Sequence, residues 1–233
     1  MDSTKKIARR AGLLYFVLGV TAPIGLLYVP GKLIVSGDPA ATADRVRAAR
    51  SLLRLGMASE LFHQILGIFL VLTLYRLFES VDRRRAVLMV VLSLVPIPIV
   101  FVGVVHEAGA LLVTSGAEWL KSLDKPGVDA LAYLALRLRG RGIAVASIFW
   151  GLWLFPFGWL VVRSGFIPKF LGVLLWLAGS AYLVSATATL VLPQVEAFVD
   201  RFALILEVCE LPIIFWLLIW GAREKTAGAT ASA

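Results

Sequence analysis

Six long apolar runs, separated by polar and basic segments, set the rhythm of this chain. A bilayer core about 30 Å thick needs roughly 20 helical residues to cross it. Runs at about 9–29, 51–78, 86–113, 142–163, 168–192 and 200–221 reach that length. The clearest boundary lies between the fourth and fifth runs. Apolar residues continue from Trp150 to Val162, Arg163 and Lys169 bracket a turn, Ser164-Gly165 breaks the helix, and Pro168 is placed to open the next. A turn that short joins only antiparallel neighbours. The predicted fold is therefore all-α: a polytopic integral membrane protein, built as a six-transmembrane-helix bundle and a single membrane domain over 1–233.

The connections carry their own signals. Ala40 to Arg50 has helix-forming composition with clustered Arg, and predicts a short helix lying on lipid head groups. Ser80 to Arg85 is a short, strongly basic turn. The stretch from Glu118 to Arg141 is the longest connection, and Leu131, Leu134 and Leu138 set among Arg137, Arg139 and Arg141 predict a second surface helix there. Pro96 and Pro98 should kink the third span, and Pro156 and Pro212 the fourth and sixth. The tail at 224–233 is small and polar and reads as disordered.

Composition narrows the class. With 60% hydrophobic and 16% charged residues, and a mean hydropathy of +0.88, a soluble domain of this length could not cover its apolar surface. The net charge of +8 does not point to nucleic acid, because Lys and Arg sit at span ends, where they meet phosphate head groups and set orientation. Lys5, Lys6, Arg9 and Arg10 before an apolar run imitate a signal peptide. That run is longer than an ordinary signal core and ends without a small-x-small cleavage site, so it is read as a retained first span. Basic residues divide almost evenly between the two sides. The dense groups at the N-terminus and at Arg83-Arg84-Arg85 favour both termini inside, with 30–50 and 114–141 outside. Cys209 is the lone cysteine and reads as a small packing residue.

Against this apolar background a polar layer stands out: Glu60 and His63 on the second span, His106 and Glu107 on the third, Glu207 and Glu210 on the sixth. At about 1.5 Å per residue all of these lie at a common depth, roughly 10 Å below the outer surface. Glu60, His63, Gln64 and Gly67 share one helical stripe, as do Gly103, His106 and Ala110, and as do Glu207 and Glu210. Glu107 points about 100° away from His106, which directs it toward head groups rather than into a site. Thr21, Ser147, Ser185 and Thr187 reach similar depth on the remaining spans. The expected site is thus Glu60, His63, Gln64, His106, Glu207 and Glu210, formed by mutually adjacent second, third and sixth spans.

Ionisable groups inside spans usually face a bundle interior or a water-filled cavity, and they mark ion and substrate paths. One reading is a small-solute or proton-coupled carrier with this layer as its ligand or proton site. Another is a structural or partner-binding membrane protein, in which Glu–His and Glu–Gln contacts only lock helices together. A third is a metal- or haem-binding intramembrane enzyme. Glu60-x-x-His63 resembles one half of a carboxylate-bridged site, but no second Glu-x-x-His completes it, and His106-Glu107 lacks the second His of a zinc-protease motif. No phosphate-binding loop, nucleophile elbow or Cys-x-x-Cys pair occurs, so neither a cofactor nor a catalytic residue is assigned. The implied partners are the lipid bilayer and a small solute or proton.

Several stretches also resemble a bacterial membrane-protein family known as domain of unknown function 4386. They are Ala8-Arg-Arg-Ala-Gly-Leu-Leu-Tyr15, Tyr28-Val-Pro-Gly-Lys-Leu-Ile-Val-Ser-Gly-Asp-Pro-Ala-Ala-Thr42, Leu74-Tyr-Arg-Leu-Phe78, the hairpin from Trp150 to Trp176, and Glu210-Leu-Pro-Ile-Ile-Phe-Trp-Leu-Leu-Ile-Trp-Gly221. The resemblance spans nearly the whole chain and implies an all-helical fold in a bacterial inner membrane. It implies no activity and no site residues.

Overall fold

Apolar stretches this long satisfy their backbone in lipid only by coiling into helices or closing into barrels. In the computed structural model, which describes residues 3–192 and 194–222, they coil. Six helical segments are long and apolar enough to cross a membrane: Thr4–Leu33, Arg50–Phe78, Arg83–Val113, Lys125–Ser164, Lys169–Val191 and Glu196–Ile219. The chain is a multi-pass membrane protein, and no strand occurs among the described residues. The tail expected to be disordered lies outside the described residues.

In chain order the helices are α1 (Ser3–Pro23), α2 (Val29–Leu33), α3 (Pro39–Ala48), α4 (Arg50–Phe78), α5 (Arg83–Leu94), α6 (Pro96–Val113), α7 (Lys125–Leu152), α8 (Leu154–Ser164), α9 (Lys169–Val191), α10 (Glu196–Glu207) and α11 (Leu211–Ile219). A π-helical turn, Ile24–Tyr28, joins α1 to α2, and a 3-10 turn, Val208–Glu210, joins α10 to α11. Aspartates start three of these helices by accepting a backbone N–H three residues on: Asp38 from Ala41 at 2.9 Å, Asp82 from Arg85 at 3.0 Å and Asp124 from Gly127 at 2.9 Å. The turn after α8 runs through Gly165 at φ 72°, and Pro168 caps α9, as the sequence predicts.

The hairpin of the fourth and fifth spans packs backbone against backbone. A Cβ on Gly158 would lie 2.6 Å from the carbonyl oxygen of Gly172, and one on Gly151 2.7 Å from that of Gly179. Small residues permit this approach, and between helices in lipid such close packing replaces the hydrophobic drive. Leu154, Phe157, Leu160, Leu171 and Leu175 of the hairpin join Phe78 of α4 in a fully buried apolar core.

Two expectations are corrected. The connection before the fourth span is not a separate surface helix ending at 141. α7 runs unbroken from Lys125 and carries Arg139 into the bundle interior. Its buried stripe Asp129, Ala132, Leu136, Arg139 faces inward, while Leu131, Leu134 and Leu138 face outward. The polar start of α7 is held by α3, which folds onto it instead of lying free. Arg47 bonds both Asp44 and Asp129, and Lys125 Nζ reaches Asp129 at 2.7 Å. Burial acts to lower the Arg47 pKa, but its bonds to Asp129 and Asp44 outweigh that and raise it.

The second correction concerns neighbours. The sixth span packs on the first and fifth rather than on the second. Gly12 explains part of this, because a Cβ there would run into the backbone nitrogen of Leu218, so α1 and α11 touch directly. The first span therefore lies against both the second and the sixth.

Candidate functional site

The regular helix is interrupted at the prolines expected to kink these spans, and the interruptions share a location. A proline lacks the N–H that would bond four residues back, so the helix opens ahead of it. Pro96 follows the break at Val95, Pro156 follows the break at Trp153, and Pro212 follows the 3-10 turn. Pro23 precedes the π-turn of the first span. All four irregular places border one central cavity of about 710 Å³. Every span contributes to its wall, for example Leu26, Gln64, Ser93, Trp150, Ser185 and Glu210. The wall is mainly apolar, with polar groups at a few points.

The polar layer of the sequence divides between this cavity and a buried cluster beside it. His63 and Gln64 of α4 line the cavity, as do Glu207 and Glu210. His63 Nδ1 lies 3.5 Å from the hydroxyl of Thr21. Glu210 accepts a hydrogen bond from the Tyr15 hydroxyl, and Tyr182 is its second hydroxyl neighbour. Gln64 is only 6% exposed, yet its amide has no hydrogen-bond partner among the described residues. Ser147 and Ser185 also line the wall. Thr187 faces outward and bonds its own helix at Leu183 instead.

The cluster beside the cavity centres on Arg139, which the sequence reading placed outside the membrane. Arg139 is 4% exposed and donates to a carboxylate oxygen of Glu60 and, at 2.8 Å, to the carbonyl of Gly25. Its Nε stands 3.3 Å from Glu107 Oε1, an ion-pair distance without hydrogen-bond alignment. Glu60 and Glu107 are 3% and 1% exposed, and the second carboxyl oxygen of each has no partner among the described residues. Glu107 is thus the buried member of its pair, not a head-group contact. His106, expected in the site, lies at neither the cavity wall nor the cluster, and its Nδ1 is buried without a partner.

Glycine makes room for the cluster. A Cβ on Gly25 would lie 2.6 Å from Glu60 Cγ, so Glu60 fits only against a bare backbone, and the Arg139 stem runs beside Gly103. The signal for Arg139 was present in the sequence: it falls at helical spacing on the stripe of Asp129, Ala132 and Leu136, followed by the small pair Gly140 and Gly142. Two carboxyls around one guanidinium leave one carboxyl without a cation of its own. A buried charge without a partner is costly, so the cluster is balanced when one carboxyl carries a proton.

Comparison with known proteins identifies the family. The profile of the family described as Domain of unknown function (DUF4386) matches residues 10–221. The chain belongs to this family. A protein described as uncharacterized, from Archaeoglobus fulgidus, is 32% identical over 83 residues, covering 36% of this chain and 48% of that relative. The match thus takes in about half the length of that curated relative. No solved structure matches. The DUF4386 match includes all four helix breaks, every cavity-lining residue and Arg139. Among the described residues, no group of three or more His, Cys, Asp or Glu is placed to hold a metal ion.

Proposed function

We propose that this DUF4386 protein is a carrier for a small solute, bound in the central cavity. The observation that carries this reading is the coincidence of the cavity with the breaks in four of its six spans. Discontinuous membrane helices free backbone groups from their ladders, and such breaks are tolerated where they are buried in protein or line a cavity. Carriers place solute sites near such breaks, where helix segments pivot. Gln64 supports the same reading. Its amide opens onto the cavity wall, where a ligand can take the hydrogen bonds that the described residues do not. A bundle serving only as a scaffold has no need of a cavity reached by every span, because unfilled space costs packing energy.

Arg139 and its carboxylates give this carrier its hinge. Arg139 holds the carbonyl of Gly25 in the π-turn of the first span, next to the cavity-lining Leu26 and Leu27. Taking up or releasing the shared proton changes the pull on that turn and so couples a proton gradient to the cavity.

Gly67 and Gly140 line the cavity, and a Cβ on either meets nothing within 4 Å. Gly67→Phe therefore fills space without a backbone clash. A thermal-shift screen of small cations, anions and neutral solutes is expected to find ligands that stabilise the wild type but not Gly67→Phe. Those ligands should enter wild-type proteoliposomes faster than protein-free ones. Absence of any such uptake across the screen overturns the carrier reading.

A further inference from the structure

We propose that the cavity selects lipophilic organic cations, an assignment that rests on reading it as a solute site. Three features of its wall converge on this class. The first is charge: Glu207 and Glu210 line the cavity, while among the described residues no Lys or Arg does. Arg139 and Arg141, which flank the cavity-lining Gly140 in sequence, are engaged elsewhere, Arg139 with Glu60 and Gly25, Arg141 with the carbonyl of Thr189. The second is aromatic surface. Tyr15, Trp150, Trp153 and Tyr182 share the wall, and the Tyr15 and Trp153 ring centroids are 6.0 Å apart. The faces of such rings attract cations, most strongly where water is excluded. The third is Gln64, whose unpartnered amide oxygen offers an acceptor on the α4 wall, while Glu207 and Glu210 stand on the wall formed by the sixth span.

Competing solutes fit less well. An inorganic cation would need several oxygen ligands in a compact shell, whereas most of this wall is apolar. An organic anion would face two carboxyls with no Lys or Arg on the described wall to hold it. A cation with apolar substituents places its charge near Glu207 and Glu210 and its substituents on Leu18, Leu70, Ile97 and Ile214. In that position its charge also offsets the cost of carboxylates within the bundle.

Three probes of like aromatic character separate the classes: tetraphenylphosphonium, tetraphenylborate and the neutral triphenylphosphine oxide. Each is measured by equilibrium dialysis on the full chain in detergent, against empty micelles. The expected result is binding of the phosphonium at least about tenfold tighter than the borate, with that preference lost in Glu207→Gln/Glu210→Gln. The single variants Glu207→Gln and Glu210→Gln keep the test decisive if the double variant folds poorly, each reducing the preference. Gly67→Phe should abolish binding while leaving the carboxyls in place. Borate or oxide binding as tightly as phosphonium, but still lost in Gly67→Phe, overturns the cation assignment and leaves the cavity as a solute site. Binding of none of the three overturns the cation assignment, and the uptake screen then decides the carrier reading separately.

Discussion

Arg139 on the fourth span bonds Glu60 on the second, deep inside a bundle whose sequence suggested that Arg139 lay outside the membrane. The bond ties α7 to α4, and through the Gly25 carbonyl Arg139 also ties both to the π-turn of the first span. Breaking a buried pair by removing one partner is costly because the other charge is stranded. Arg139→Gln is expected to lower unfolding free energy by about 3 kcal/mol. Reversible unfolding in mixed micelles measures it. A loss indistinguishable from zero would mean that the cluster contributes nothing to the bundle.

The hairpin of the fourth and fifth spans should tolerate far less than the cavity does. Gly158 and Gly172 face each other so closely that either Cβ would collide with a carbonyl oxygen. Gly158→Val is expected to destabilise the bundle by about 1–3 kcal/mol, the usual range for forcing extra atoms into a packed contact. Gly67→Phe, which projects into open space, should cost much less. Equal losses from the two substitutions would contradict the placement of one glycine at a helix contact and the other at a cavity wall.

Apolar run length alone made the six spans legible, and proline positions made three of the four breaks legible. These are local signals. The break at Pro23 was also marked by proline, but its π-turn reflects how the first span settles around Glu60, which no local pattern reports. The site was half legible. His63, Gln64, Glu207 and Glu210 do line one cavity, yet they reach it across a space rather than by contact between their helices. Arg139 was hidden because arginine beside Arg137 and Arg141 reads as a solvated basic face. Its place on the stripe of Asp129, Ala132 and Leu136 sets it apart from those neighbours, but that stripe reads as buried only once the pairing with Glu60 and Glu107 is seen. Glu107 was misplaced for a related reason, since which of two adjacent residues faces inward depends on the rotation of α6 against α7.

Orientation follows from basic groups at span ends. Dense clusters at Lys5 to Arg10 and at Arg83-Arg84-Arg85 predict that the N-terminus and the turn between the second and third spans lie in the cytoplasm. In a Cys209→Ala background, Arg84→Cys is expected to resist a membrane-impermeant thiol reagent until the cells are opened. A cysteine at Gly37, in the loop before α3, should react from outside. Labelling of Arg84→Cys in intact cells reverses the topology.

The arithmetic of the buried cluster yields the sharpest test, because it predicts how substitutions combine. One guanidinium faces two carboxyls, and Glu60 makes the hydrogen bond while Glu107 stands at 3.3 Å without one. Glu107→Gln removes the surplus acid and keeps the shape, so it should change stability by less than about 1 kcal/mol, in either direction. Glu60→Gln replaces a charge-assisted bond by a neutral one, while Glu107 can still balance Arg139, and should cost about 1–2 kcal/mol. The double variant leaves Arg139 buried without a counter-ion. Its loss should exceed the sum of the two single losses by more than about 1 kcal/mol, a coupling that residues in one network show and distant ones do not. Additive effects in this cycle would show that each carboxyl is held by its own surroundings, and would remove the shared proton from the proposed hinge.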